Sequence, residues 1–332
     1  MPLLEVKNLK MYYSSRRGLV RAVDDVSLSI EGGRTVGLVG ESGCGKSSFA
    51  YSIMRILPPN GRFIDGQILL EREDLLNLTE EKMRKVRWKE ISMIFQSAMN
   101  ALNPVIRVGD QLVDVLRAHE SISRDDAKKK VAEVFELVEI PASRVKSYPH
   151  EFSGGMNQRA IIAMSLLCGP KIIIADEPTT ALDVVVQDQI MDGMKQLQKK
   201  YGVSMILISH DVSVIAENCD RVAVMYGGQI VEHASTTTVF KDPRHPYTIA
   251  LLNAFPSVKG PMRRLTSLRG SPPNLLNLPP GCRFAPRCPI AEEVCRKEAP
   301  RYIEVYKEHY SRCHFASRSL VKEVQFKLEN QT

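Results

Sequence analysis

Residues Gly40-Glu41-Ser42-Gly43-Cys44-Gly45-Lys46-Ser47-Ser48 match G-x-x-x-x-G-K-[ST] at every fixed position. Each residue type has work to do around phosphate. Glycines let the backbone wrap closely. Consecutive amides and a helix N-terminus supply donors and positive potential, Lys46 neutralises the β and γ groups, and Ser47 ligates Mg²⁺. Ser42, Cys44 and Ser48 complete the cradle, with Cys44 at a variable position. Asp176 and Glu177 are adjacent carboxylates that can divide labour: Asp176 holds the magnesium shell while Glu177 polarises the attacking water. Gln96 and His210 are placed to reach a γ-phosphate or its water, and Gln96 joins Ser47 and Asp176 as a magnesium ligand. Ser153-Gly154-Gly155 leads into an apolar helical run from Ala160 to Leu167, which makes a second anion-binding helix start. One nucleotide has no need of two such cradles in one lobe. The second therefore predicts a nucleotide held by another subunit, in a head-to-tail sandwich.

The elements that must position these residues follow an α/β pattern, short β-rich runs alternating with longer helical ones. Residues 36 to 39, 92 to 95, 172 to 175 and 205 to 208 read as buried strands, each ending at a polar residue. In open α/β sheets ligands gather beyond the carboxyl ends of strands, which is where Gly40, Gln96, Asp176, Glu177 and His210 fall. A helix is expected from Ser48 to Ile56. Residues 104 to 148 look helical and charged, with Ser123-Arg124-Asp125-Asp126 as a helix start, and suggest an inserted helical subdomain over about 104–170.

The 332 residues suffice for about two domains at roughly 150 residues each, and 44% hydrophobic with 25% charged residues is the composition of a folded globular chain. No window approaches the roughly 18 apolar residues that a membrane span needs. The N-terminus lacks the pattern of an export signal, and seven cysteines, an odd number, suit reduced thiols or metal ligation better than a disulfide frame. The net charge of +7 resides in residues 256–332, which hold 14 Lys/Arg against 7 Asp/Glu and leave 31 against 31 in the body. A neutral body argues against nucleic acid as a partner. The same tail carries 9 of the 19 prolines and four of the seven cysteines, so a domain boundary is expected near Phe255-Pro256, dividing 1–255 from 256–332.

The ordered motifs together resemble the ATP-binding subunits of ABC transporters, over about residues 3 to 255. Gly40 to Ser47 corresponds to the Walker A motif, Gln96 to the Q-loop, Ser153-Gly154-Gly155 to the signature, Ile172 to Glu177 to Walker B, Ala181-Leu182-Asp183 to the D-loop and His210 to the switch histidine. The resemblance implies a P-loop NTPase fold of the ABC type, a mixed sheet core with a helical subdomain, followed here by a small Cys-rich extension. It implies ATP and Mg²⁺ as ligands, Glu177 as catalytic base, and His210 gripping the γ-phosphate. Ser153 and Gly155 would contact the partner's γ-phosphate, and Tyr13, beside Tyr12, would be the adenine-stacking aromatic. Met156 departs from the Gln that commonly ends the signature.

Within the family the likeness is to oligopeptide and dipeptide importers, from Ala101-Leu102-Asn103-Pro104 after Gln96, Met156, Asp242-Pro243 with His245-Pro246-Tyr247-Thr248, and the cysteine-rich tail. It implies a second ABC ATPase, a paralogue or a second copy, two membrane permeases, and an extracellular substrate-binding protein acting indirectly, with the chain at the cytoplasmic face of the membrane. Relatives carry peptides, nickel or oligosaccharides. A soluble ABC ATPase acting on nucleic acid or ribosomes is the alternative, and a redox-sensing tail that regulates the motor is a further one. Cys282, Cys288, Cys295 and Cys313 are spaced C-x5-C-x6-C-x17-C, without the C-x2-4-C pair usual for zinc. That favours a four-cysteine [4Fe-4S] cluster, with zinc, His309 or His314 replacing a thiolate, as the alternative. Cys168 and Cys219 are expected in the core.

Overall fold

The computed structural model describes residues 2–96, 101–179, 182–254 and 270–329. In chain order its strands are β1 (Leu4–Ser15), β2 (Gly18–Ile30), β3 (Thr35–Val39), β4 (Gly61–Leu70), β5 (Glu73–Asp74), β6 (Ile91–Ile94), β7 (Ile172–Asp176), β8 (Ser204–Ile208), β9 (Arg221–Tyr226), β10 (Gln229–Ser235), β11 (Ile303–Tyr306) and β12 (His309–Ser311). Its helices are α1 (Lys46–Met54), α2 (Glu80–Val86), α3 (Val108–His119), α4 (Arg124–Leu137), α5 (Gly154–Leu166), α6 (Val184–Tyr201), α7 (Val212–Asn218), α8 (Thr236–Lys241), α9 (Pro246–Asn253), α10 (Glu293–Lys297) and α11 (Val321–Glu329). They fall into two compact units, one of Leu4–Ser29, Val36–Leu70 and Ser209–Thr332, the other of Met1–Leu3, Ile30–Thr35 and Glu71–Ile208.

In the first unit, β2, β1 and β4 are neighbours in one sheet, with β1 antiparallel to β4 and Leu4 opposite Leu70. The other sheet of this unit runs β11-β12-β10-β9-β3. It is mixed: β3 and β9 are parallel, while β9, β10, β12 and β11 pair antiparallel. The tail thus extends the sheet. The expected division near 255 falls within residues 255–269, outside the described residues, but β11, β12 and α11 of the tail belong to the same unit as β9 and β10. His233 of β10 stands opposite Tyr310 of β12, and Ile249 and Ala250 of α9 share a buried cluster with Ile290, Ala316, Leu320, Val324 and Leu328. Glu232 on β10 is fully buried, its carboxylate accepting from the amides of Arg244 (2.6 Å) and His245 (2.9 Å) and lying 2.8 Å from His309 Nε2.

In the second unit, β6, β7 and β8 are parallel and buried along their lengths, as expected of apolar runs covered on both faces. Each expected strand lies within one residue of its observed position. The stretch expected to be helical resolves into α3 and α4, then a 3₁₀ turn at Ala142–Lys146 and another at Pro149–Glu151. Ser123 caps α4 by accepting from the Asp126 amide, with Asp125 and Asp126 at the positive end of the helix. Ala127, Val131, Val134 and Phe135, at helical spacing, form its buried face.

Candidate nucleotide site

In the first unit the β3 strand runs directly into Gly40–Ser48 and then α1, whose first turn carries no side-chain cap and so leaves its amides to the loop. The glycines differ in what requires them. A Cβ on Gly40 (φ +153°) would stand 2.1 Å from Met225 O, and one on Gly45 (φ +110°) 2.1 Å from Ala22 O. Gly43 (φ +76°) faces open space within 4 Å, room of the kind a phosphate needs. Lys46 is buried, and its Nζ donates to Gly40 O (2.7 Å) and Glu41 O (3.1 Å), bridging the loop. Cys44 Sγ lies 3.8 Å from that ammonium. Burial raises the thiol's pKa against the opposing pull of Lys46, so Cys44 is a protonated loop-packing side chain.

Two adjacent tyrosines of β1 point to different tasks. Tyr12 Oη donates to Asp24 Oδ1 at 2.5 Å, whereas Tyr13 Oη donates to Ser48 Oγ at 3.1 Å. Tyr13, the expected aromatic, is thereby tied to the phosphate loop. Arg283 of the tail donates to Asp24 and to Gly227 O. Burial pushes the Asp24 carboxyl up, but the hydrogen bonds from Tyr12 and Arg283 prevail and hold its pKa below the ordinary value. His210, also in this unit, follows β8 on the surface, one residue before Asp211, which caps α7 by accepting from Ser213 N (2.8 Å).

In the second unit the structure brings Gln96 and Glu177 together: Gln96 Nε2 donates to Glu177 Oε2 at 2.9 Å. Asp176, the last residue of β7, is 1% exposed, and Glu177 turns out of the strand with φ +50° while its amide donates to Ile208 O (2.9 Å). Such a backbone is costly for a non-glycine residue and fixes the carboxylate's direction. Ser153 caps α5, accepting from Met156 N at 3.3 Å, so the expected helix start is observed, with Ser153 and Gly154 exposed. A Cβ on Gly155 would meet Val186 Cγ1 at 2.8 Å, and Asp183 caps α6 by accepting from Val186 N at 3.0 Å. The starts of α5 and α6 therefore lie side by side. Ala181 lies outside the described residues.

Ser47, Gln96 and Asp176 offer hard oxygen donors, which suit Mg²⁺. The thiols of Cys282, Cys288 and Cys313 are all held above the ordinary value, with charge on neighbouring tail cysteines adding to the effect of burial. Burial is the larger cause, and it pushes Cys288 and Cys313 to about 12. Yet among the described residues no group of three or more His, Cys, Asp or Glu could hold a metal ion. This corrects the zinc alternative: His309 Nε2 is engaged with Glu232, and His314 Nε2 lies 3.0 Å from Glu298 O. It also leaves the iron–sulfur cluster without a formed metal group. Cys168 and Cys219, expected in the core, are half-buried.

One contact escaped the sequence. Arg287 donates from Nη1 to Glu41 Oε2 (2.6 Å) and from Nη2 to Glu41 Oε1 (2.8 Å), a bidentate pair between the tail and the phosphate loop. The partners are 246 residues apart, and no spacing rule links a tail arginine to a loop glutamate.

Comparison with known proteins accords with this geometry. Residues 23–180 match the family described as "ABC transporter", and residues 231–295 match "Oligopeptide/dipeptide transporter, C-terminal region". The chain is 47% identical over 300 residues to the oligopeptide transport ATP-binding protein OppD of Escherichia coli K12, covering 90% of this chain and 89% of that protein. It is 48% identical over 301 residues to the dipeptide transport ATP-binding protein DppD of Bacillus subtilis 168, covering 90% of each. Among solved structures it resembles the "Dimeric structure of a post-hydrolysis state of the ATP-binding cassette MJ0796 bound to ADP and Pi". The TM-score is 0.63 and the identity 25%, covering 70% of this chain and 98% of the other.

Proposed function

The chain belongs to the ATP-binding proteins of oligopeptide and dipeptide ABC transporters, and from that premise we propose that it powers the import of oligopeptides or dipeptides. It is an ABC-type ATPase. The cargo is assigned from the relatives, since peptide never meets the nucleotide residues. In this reading Gly40, Ser42, Gly43, Cys44, Gly45, Lys46, Ser47 and Ser48 cradle the phosphates, Tyr13 takes the adenine, and Asp176, Ser47 and Gln96 hold Mg²⁺. The ion, when bound, withdraws charge from the phosphate oxygens. Glu177 accepts the proton of the attacking water, oriented by its bond to Gln96, and His210 steadies the γ-phosphate. Ser153, Gly154, Gly155 and Asp183 serve the nucleotide of a second ATPase subunit, copy or paralogue, in a head-to-tail dimer.

The observation that carries the transport reading is the Gln96–Glu177 hydrogen bond. It ties the hydrolytic carboxylate to the residue that follows Phe95 (43% exposed), an apolar side chain suited to meet permease subunits, as are Val105 (78%) and Ile106 (39%) later in the chain. ABC ATPases of importers work as dimers on permeases at the membrane, and among the described residues no helix is long and apolar enough to cross it. We place the chain on the cytoplasmic face, with two permeases and an extracellular binding protein completing the importer. The test is co-purification with two multispanning proteins, together with ATP-dependent peptide uptake that is lost when the chain is deleted. Uptake of nickel or oligosaccharide instead would reassign the cargo, and a partner released by nuclease would favour the nucleic-acid reading. The finer reading of the extension is a [4Fe-4S] cluster on Cys282, Cys288, Cys295 and Cys313, tested by iron content and thiolate-to-iron absorbance after anaerobic purification.

A further inference from the structure

Glu41 places a carboxylate in a loop built to receive polyphosphate, where an uncompensated negative charge opposes the ligand. Arg287 answers it with a bidentate pair whose side chains are 6% and 24% exposed, Arg287 and Glu41 respectively. The same guanidinium donates to Tyr226 Oη at 3.2 Å and lies over that ring at 5.7 Å, so its position is fixed from a second side. Glu41 itself is held at three points. Its amide donates to Tyr247 Oη (2.9 Å), its carboxylate takes Arg287, and its carbonyl accepts from Lys46 Nζ (3.1 Å). Lys46 is the cation meant for the β and γ groups, so the tail reaches it through a single intervening residue.

A neighbouring contact acts in the same sense. Arg283 donates to Gly227 O, and the next amide, Gly228 N, donates to Cys44 O at 2.8 Å within the loop. Arg283 follows Cys282 in the chain and Arg287 precedes Cys288, so the fold of the cysteine-rich segment presents both guanidiniums.

We propose that Arg287 is a positioning residue for ATP binding: the C-terminal extension neutralises Glu41 and holds the phosphate loop in its receptive shape. The proposal rests on the assignment of Gly40–Ser48 as the phosphate cradle. Its test is equilibrium ATP binding and steady-state ATPase kinetics on the full chain, with thermal unfolding as the fold control. Arg287→Gln raises Kd and KM for ATP on the order of tenfold, because the stranded Glu41 carboxylate then repels the incoming phosphates at short range, while kcat stays within about twofold. Arg287→Lys, which keeps the charge and loses the fork, falls between. The double variant Glu41→Gln/Arg287→Gln recovers most of the lost affinity, because the stranded carboxylate is gone. Unchanged affinity in Arg287→Gln overturns the proposal, and so does a double variant no better than the single one. Lys46→Ala is measured beside them. If it binds ATP normally the cradle assignment itself falls, whereas loss in Lys46→Ala with none in Arg287→Gln removes only the clamp.

Discussion

Replacing Gly45 by alanine tests the shape of the phosphate loop directly. The new Cβ would stand 2.1 Å from Ala22 O and 2.8 Å from Met225 Cε, on backbone with φ +110°. Two penalties add. An L-residue in a sparsely populated backbone region costs about 1–3 kcal/mol. Forcing a methyl against packed neighbours costs about 1–3 kcal/mol more, and here one neighbour is a main-chain carbonyl that no rotamer change can move. The expected loss is therefore about 2–6 kcal/mol, out of a total stability of about 5–15 kcal/mol. Gly43→Ala is the internal control: its φ of +76° carries the torsional cost, but nothing lies within 4 Å to collide. Urea unfolding of both variants, compared by midpoint at matched m-value, isolates the carbonyl contact as a difference of about 1–3 kcal/mol. Equal losses in the two would refute the close approach to Ala22. Because Gly45 is also the N-cap of α1, ATP affinity falls with it.

Glu177→Gln retains an acceptor for Gln96 Nε2, so the expected result is full ATP binding with hydrolysis lost and a closed dimer accumulating; wild-type turnover would defeat the assignment of Glu177 as base. Burial lowers the pKa of both His233 and His245 to about 3. Both stay neutral in the fold yet take up protons on unfolding below about pH 6.5, so stability falls with pH by up to about 1.4 kcal/mol per pH unit for each. Unfolding free energies between pH 6.5 and 5 measure the slope, and His233→Gln should reduce it by up to about 1.4 kcal/mol per pH unit. A slope that Gln at 233 leaves intact would show that His233 is charged in the folded protein.

Much of the site could be read from residue order because it depends on local geometry. A strand, a glycine-rich turn and a helix start succeed one another between Thr35 and Met54, and each signals itself by residue type. Ser123 and Ser153 were legible as helix starts for the same reason, since a cap bonds an amide three residues on. The long β1, β2 and β4 strands were not singled out. Their burial is partial and irregular, and the β1–β4 register shifts near Lys10, which blurs any alternation. The roles of Tyr12 and Tyr13 could not be divided in the sequence either, because what separates them is Asp24 on one side and Ser48 on the other. The tail's charge was visible as a surplus of cations. Its disposition was not, since Arg283 and Arg287 find carboxylates more than 240 positions away.

Glu232 gives the last strands of the chain an importance that their short length conceals. A protein ended after α9 would lack β12 and His309, leaving β10 as a raw sheet edge with a carboxylate stripped of its cover. Such an edge invites pairing with other chains. Trimming this polypeptide to its conventional catalytic length should therefore yield aggregates rather than a smaller working engine.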